Sequence, residues 1–202
     1  MYPVTKRGER VILREISVAD VDAVKSVCCH PSVIRNLGFA PRGRDEASAV
    51  VARAIASARR VPRTEYLLLV VLEDRDEAVG VMRLTLDLDC GAEFGVAVDP
   101  PHSAQIWGAV REGGAYQEHG REGTRLLLAL GFDDLGLHRL WGAEGLDSAT
   151  PERPVLHAGM GRERIIRDHV FTRGGWRDTA VYSILRQEWE LVRARENGVV
   201  RL

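Results

Sequence analysis

A chain of 202 residues is long enough for one domain with a substantial core. Its formal net charge of -1 excludes a global attraction to nucleic acid or to an anionic membrane surface, and 45% hydrophobic with 28% charged residues is the mix of an ordinary globular chain. Three cysteines, Cys28, Cys29 and Cys90, are too few for a disulfide framework, and the vicinal pair reads as small apolar residues on a buried helix face rather than as a metal or redox pair. The longest apolar run, Tyr66 to Leu72, is far short of a membrane span, and no charged-plus-apolar leader opens the sequence. The expected location is a reducing cytoplasm.

Arg10 to Arg14 predicts a first strand. Ser17 offers an N-cap, with Asp20 three residues on, and Val18, Val21, Val24 and Val27 recur near helical spacing, so a helix is expected as far as His30, where Pro31 interrupts it. A second helix is expected over roughly Asp45 to Arg60, with Ala49, Val50, Ala54 and Ile55 as its apolar face. Tyr66 to Leu72 is rich in branched residues and too short for a helix, which predicts a buried strand; Asp74 to Glu77 is its turn and Val79 to Leu88 the next strand. Ala92 to Asp99 predicts another strand. The stretch from about Ser103 to Gly114, with Gly108, Gly113 and Gly114, is expected to be an inserted loop. A helix follows from about Arg121 to Leu135, closed near Gly136, then a strand from His138 to Glu144 and a short helix ending near Met160. Arg167–Phe171 and Asp178–Leu185 flank Gly174-Gly175 as a hairpin, and Trp189 with a charged tail closes the chain. The order β-α-α-β-β-β-α-β-α-β-β fits one mixed α/β domain over residues 1–202.

Two blocks carry a family resemblance. One is Arg125-Leu126-Leu127-Leu128-Ala129-Leu130-Gly131-Phe132 continuing through Gly136-Leu137-His138-Arg139-Leu140. The other is Val155-Leu156-His157-Ala158-Gly159-Met160, then Arg167-Asp168-His169-Val170, then Trp176 to Leu185. In this order and spacing the chain resembles the GNAT acyltransferases, in particular the branch of the ribosomal-protein N-acetyltransferases, over about Arg7 to Trp189. The resemblance implies a GNAT fold: a central, mostly antiparallel twisted sheet with helices on both faces and a V-shaped opening. That opening is expected between the strand at Ala92–Val98 and the strand at His138–Glu144. Pantetheine would lie there as a pseudo-strand, its amides bonded by backbone groups of Val96, Ala97 and Val98, and a backbone N–H would polarise the thioester carbonyl. Gly120, Arg121 and Glu122, at the start of the following helix, would receive the pyrophosphate.

Two features depart from the family pattern. Its Gln/Arg-x-x-Gly-x-Gly/Ala loop aligns with Ala115-Tyr116-Gln117-Glu118-His119-Gly120, so Glu118 stands at the central glycine. A carboxylate there opposes a pyrophosphate by roughly 1 kcal/mol per charge pair at 4–6 Å in water. The family's Asn-x-Ala-Ser is also absent, with Ala149 at the asparagine and Glu152 at the serine. Both changes fall on the coenzyme side.

Amine acylation needs a base, often through water, and a positioned thioester. Glu93 is the expected base, on the strand beside the thioester groove, with a structural carboxylate as the alternative. Tyr182 is a candidate proton donor to the leaving thiolate, with a half-buried strand tyrosine as the plainer role. His102 and His119 bracket the expected loop and read as solvated histidines; no His/Cys/Asp spacing suggests a metal. Trp107 and Arg111 are residue types that favour interfaces, which makes them candidate contacts for a donor partner. The expected function is N-acyl transfer by direct attack, from an acyl-phosphopantetheine co-substrate to the amine of a small molecule, in bacterial secondary metabolism. A carrier-protein donor is favoured over acyl-CoA, since it has little use for a pyrophosphate loop. Two other readings stay open: an acetyl-CoA-dependent N-acetyltransferase acting on a small molecule or a protein N-terminus, and a non-catalytic GNAT-fold binding protein. No bound cofactor, metal, nucleic acid or membrane partner is expected, and a homodimer is compatible with the sequence.

Overall fold

A computed structural model describes residues 3–31, 33–34, 43–88, 102–111, 116–145, 154–172 and 174–196. The apolar run singled out in the sequence forms strand β3 (Glu65–Leu72). Leu68, Val70 and Leu72 enter one core cluster, whereas Leu67, Leu69 and Val71 enter another. This alternation is the period of a strand covered on both faces, and it explains why the run shows no polar side.

β3 is third in an eight-stranded sheet of order β1-β2-β3-β4-β5-β6-β8-β7. The other strands are β1 (Thr5–Arg7), β2 (Val11–Glu15), β4 (Ala78–Leu86), β5 (Ser103–Val110), β6 (Arg139–Gly145), β7 (Gly161–Thr172) and β8 (Gly175–Leu185). Neighbours pair antiparallel, except that β5 and β6 run parallel. Helices α1 (Val21–Cys28) and α2 (Arg44–Ala58) cover one face, where Val24, Val27, Val51 and Ala54 pack with Leu69, Val81 and Ala109. Helix α3 (Tyr116–Ala129) covers the other, where Leu127 and Leu128 pack with Leu13, Leu84, Leu140 and Ile184. α3 sits close to the sheet because Gly123 carries no side chain: a Cβ there would stand 2.6 Å from Met82 Cε. After a π turn at Leu130–Asp134, Phe132 stacks on Trp189 at 6.0 Å. Short α4 (Pro154–His157) packs beside α3, and α5 (Arg186–Glu196) follows β8. Arg186 ties this corner together by donating to the carbonyls of Phe132 and Leu137, at 2.7 and 2.8 Å.

The entry into α1 matches the expected capping. Asp20 accepts from the Ser17 backbone N–H at 2.7 Å and hydroxyl at 2.8 Å, and Arg14 holds the same carboxylate from the other side at 2.8 and 2.9 Å. The helix itself is shorter than expected: a 3₁₀ turn at Val18–Asp20 precedes α1, which ends at Cys28.

Three expectations are corrected. The stretch from Ser103 is a strand as far as Val110, not an inserted loop. Ala104, Ile106 and Val110 face α3, while Trp107 and Ala109 face α1 and α2. Gly108, which suggested a loop, instead makes room for Met82: a Cβ there would lie 2.9 Å from Met82 Cγ. The following helix starts at Tyr116, five residues earlier than Arg121, and the charged tail is helical as far as Glu196 because Trp189 and Val192 anchor one side of it to the core. The strand expected at 92–99 lies outside the described residues.

Candidate functional site

β5 and β6 stay together for three residue pairs, Ser103 with Arg139, Ala104 with Leu140 and Gln105 with Trp141. Beyond them the two strands part. β5 keeps its pairing with β4 as far as Val110, and β6 keeps its pairing with β8 as far as Gly145. Each strand therefore loses only the other, which leaves a wedge in the middle of an otherwise continuous sheet. At its apex Gly142 approaches β5 closely: a Cβ there would stand 3.0 Å from the Ile106 carbonyl oxygen.

The hydrogen-bond alternation shows which backbone groups line the wedge. Ser103 O accepts from Asp87 N, just past β4, and Arg111 N donates to Val79 O, so odd-numbered residues of β5 turn towards β4. His102 O accepts from the N–H groups of His138 and Arg139, so even-numbered residues turn towards β6. Gly108 and Val110 thus present their N–H and C=O groups to the space between the strands. A pseudo-strand ligand bonds such groups. The expected opening exists with β6 as one flank, but its other flank is β5. Val96, Ala97, Val98 and Glu93 lie outside the described residues, and the strand bordering the wedge carries Gln105 and Trp107.

The open end of the wedge leads to the start of α3. Glu118 there forms an ion pair with Arg10 at 3.4 Å, both side chains being more than half exposed. Glu122 accepts from the backbone N–H groups of Glu9 and Arg10. Both carboxylates therefore serve the β1–β2 turn. On a helix turning about 100° per residue, Arg121 and Gln117 stand about 100° and 140° round from Glu122, away from that turn. Arg125 is one turn beyond Arg121, and burial, then the neighbouring Arg121 charge, lower its pKa. Two guanidinium groups thus lie one turn apart on one side of the helix, at its sixth and tenth residues, which favours an anion on that side. Gly120 is buried and its carbonyl accepts from Thr124 Oγ1 at 2.8 Å.

The closed end has a different chemistry. Asp87, just past β4, accepts hydrogen bonds on Oδ2 from Ser103 Oγ at 2.6 Å and from Trp141 Nε1 at 2.8 Å. Trp141 shares the face opposite α3 with Gln105 and Trp107, since Leu140 beside it enters the α3-side core. Arg83 lies over the Trp107 ring at 5.9 Å and 3.9 Å from Glu65. Sequence reasoning missed Asp87 because it stands alone at the end of a strand; its partners come from residues 16 and 54 positions away.

Tyr182 lies on β8 opposite Gly142, buried at 4% exposure in the α3-side cluster. The expected partner loop is corrected. Trp107 is a half-buried strand residue packed towards α1 and α2, and Arg111 donates to Glu77 at 2.7 Å and to the Ala78 carbonyl, which fastens it to the β3–β4 turn. Among the described residues no group of three His, Cys, Asp or Glu is placed to hold a metal, and no helix is long and apolar enough to cross a membrane.

The sequence pattern described as the acetyltransferase (GNAT) domain matches residues 10–143. The chain is 26% identical over 190 residues to the uncharacterized N-acetyltransferase YoaA of Bacillus subtilis (strain 168), covering 92% of this chain and 98% of that protein. Among solved structures it is similar to Mycobacterium smegmatis RimJ in complex with CoA-disulfide, with a TM-score of 0.72 at 18% identity over 98% of this chain and 96% of that one. The ribosomal-protein-S5-alanine acetyltransferase of Vibrio fischeri is similar too, with a TM-score of 0.72 at 12% identity over 92% of this chain and 98% of that one.

Proposed function

The chain belongs to the GNAT acetyltransferase family, and we propose that it moves an acyl group from acyl-coenzyme A to a primary amine, with the pantetheine arm in the β5–β6 wedge. The observation that carries this reading is the parting of β5 and β6 after Gln105 and Trp141, with the backbone groups of Gly108 and Val110 turned into the space. An extended amide-bearing arm matches that row of donors and acceptors. The phosphates then fall at the start of α3, on the side where Arg121 and, one turn further along, Arg125 supply positive charge, while Glu118 is drawn to Arg10.

Transfer is direct. The neutral amine attacks the thioester carbonyl, a backbone N–H at the wedge stabilises the oxyanion, and the thiolate leaves as the tetrahedral intermediate collapses. Tyr182 is the proposed proton donor to that thiolate, because its place opposite Gly142 borders the wedge.

A phosphopantetheine arm on a carrier protein is the second reading, favoured by Glu118 in the first turn of α3 and Ala149 in place of an asparagine. No inserted loop favours it, since β5 occupies most of that stretch and only residues 111–115 join β5 to α3. Calorimetric titration separates the two. Acetyl-CoA binding at micromolar Kd, about -8 kcal/mol, supports the coenzyme as donor. No acetyl-CoA binding, together with thiol release from an acetylated carrier protein, supports the second reading.

A further inference from the structure

We propose that Asp87 is the group that receives the acceptor amine and takes its proton. The inference rests on the acyl-transfer reading for its chemistry, and on the geometry of the closed end for its place.

Asp87 is fixed to the closed end of the wedge by three contacts. Its N–H donates to Ser103 O at 2.9 Å, and its Oδ2 accepts from Ser103 Oγ at 2.6 Å and Trp141 Nε1 at 2.8 Å. Ser103 opens the three-pair zipper between β5 and β6, and Trp141 closes it. The carboxylate therefore bridges the two strands at the paired end of the zipper, two residue pairs behind the point where they separate, and the Trp141 indole ties it to the last pair, on the face opposite α3. Both side-chain donors are neutral, so they orient the carboxylate without cancelling its charge. Oδ1 has no hydrogen bond among the described residues, which leaves it to accept from an incoming N–H.

The surrounding charges are otherwise engaged. Arg83, on the same face of β4, lies against Trp107 and Glu65. Arg139 on β6 is paired with Glu163 of β7. His102, exposed just before β5, gives its carbonyl to β6. On β5 itself the residue at the last paired position is Gln105, diagonal to Asp87 and about 7–8 Å from it as diagonal cross-strand neighbours are. A carboxamide there can orient an amine but cannot take its proton. Glu65 is two strands from β5. Asp87 is thus the carboxylate of the described sheet face that stands nearest the closed end, tied through Trp141 to the last paired position.

The proton accounting closes. The acceptor arrives as an ammonium, and Asp87 takes one proton, later released to solvent. The freed lone pair forms the C–N bond, and the C–S bond breaks with its electrons on sulfur. The second amine proton, lost from the tetrahedral intermediate, ends on the thiol. Ser103 and Trp141 act as positioning residues through Asp87.

The test uses full-length protein, acetyl-CoA as donor and alaninamide and 1,4-diaminobutane as acceptor probes, with thiol release as the assay. Asp87→Asn is expected to lower kcat at least 100-fold, to flatten the acidic limb of the kcat/KM profile against pH, and to leave acetyl-CoA affinity within twofold. Trp141→Phe, which keeps an aromatic ring and leaves the carboxylate in place, should lower kcat only a few-fold with the limb retained. Turnover within threefold of wild type in Asp87→Asn, or an equal loss of acetyl-CoA affinity, overturns the proposal. If wild type neither binds acetyl-CoA nor releases thiol, the acyl-transfer reading fails. Alaninamide titration then decides Asp87's part: binding present in wild type and lost in Asp87→Asn supports an amine receptor, and binding kept in Asp87→Asn, or absent in wild type, overturns it.

Discussion

The two ends of the β5–β6 wedge are opposite in character. At the closed end a carboxylate, Asp87, is held by neutral donors from two different strands. At the open end guanidinium groups crowd one side of α3, and the acidic residues of that helix are turned away to the β1–β2 turn. A ligand with an anionic tail and a reactive head is therefore given a direction before any side chain touches it. The tail is drawn to the helix and the head to the apex, where a cationic acceptor is drawn from the other face. The backbone of β5 between these ends carries little charge and supplies only hydrogen bonds. This division predicts that substitutions at the open end act on donor binding, and substitutions at the closed end act on turnover.

The largest expected effect at the open end is that of Arg121→Ala combined with Arg125→Ala. Loss of two charge-assisted contacts to phosphate should raise the donor KM about tenfold or more with kcat little changed, and the difference should shrink at high salt. A fall in kcat with donor KM constant would break the division.

Asp20 is a carboxylate of the scaffold and provides a control for Asp87. Burial alone would raise its pKa, but hydrogen bonds from Arg14 and Ser17 outweigh this and hold it at about 2. A folded-state pKa below the unfolded value of about 3.9 means stability that is present above pH 4 and lost as pH falls from about 4 to about 2. Asp20→Asn should remove about 2 kcal/mol of that dependence in chemical denaturation at neutral pH while donor and acceptor kinetics stay within twofold. A specific loss of turnover in the folded variant would place Asp20 in the site.

The smallest effect is expected from Glu118→Gly. Its carboxylate is half exposed and paired with Arg10, so its removal should improve acetyl-CoA affinity by twofold or less. A tenfold gain would show that the carboxylate faces the phosphates, as the sequence alone suggested.

Much of the scaffold was legible because it is local. The runs at Tyr66–Leu72 and Arg125–Leu128 declare a strand buried on both faces and a helix beneath it, and Ser17 with Asp20 marks the start of the first helical segment. The family resemblance supplied the wedge itself. β5 was misread because its glycine and its neighbours Gly113 and Gly114 carry loop signals, whereas Gly108 is there to accommodate Met82 on the adjacent strand. That error moved the expected flank of the wedge to residues 92–98 and turned Trp107 and Arg111 into loop residues. Glu118 was read as opposing a ligand because its partner, Arg10, is more than a hundred residues away in sequence. Asp87 was invisible for the same reason: nothing near it in the chain announces Ser103 or Trp141.

Amide hydrogen exchange with and without acetyl-CoA tests the central claim most directly. Acetyl-CoA should slow exchange of the Gly108 and Val110 amides, which point into the wedge, while the Ser103 and Gln105 amides, already turned towards β4, change little. Binding without protection of Gly108 and Val110, or protection confined to another part of the sheet, would contradict the placement of the donor between β5 and β6.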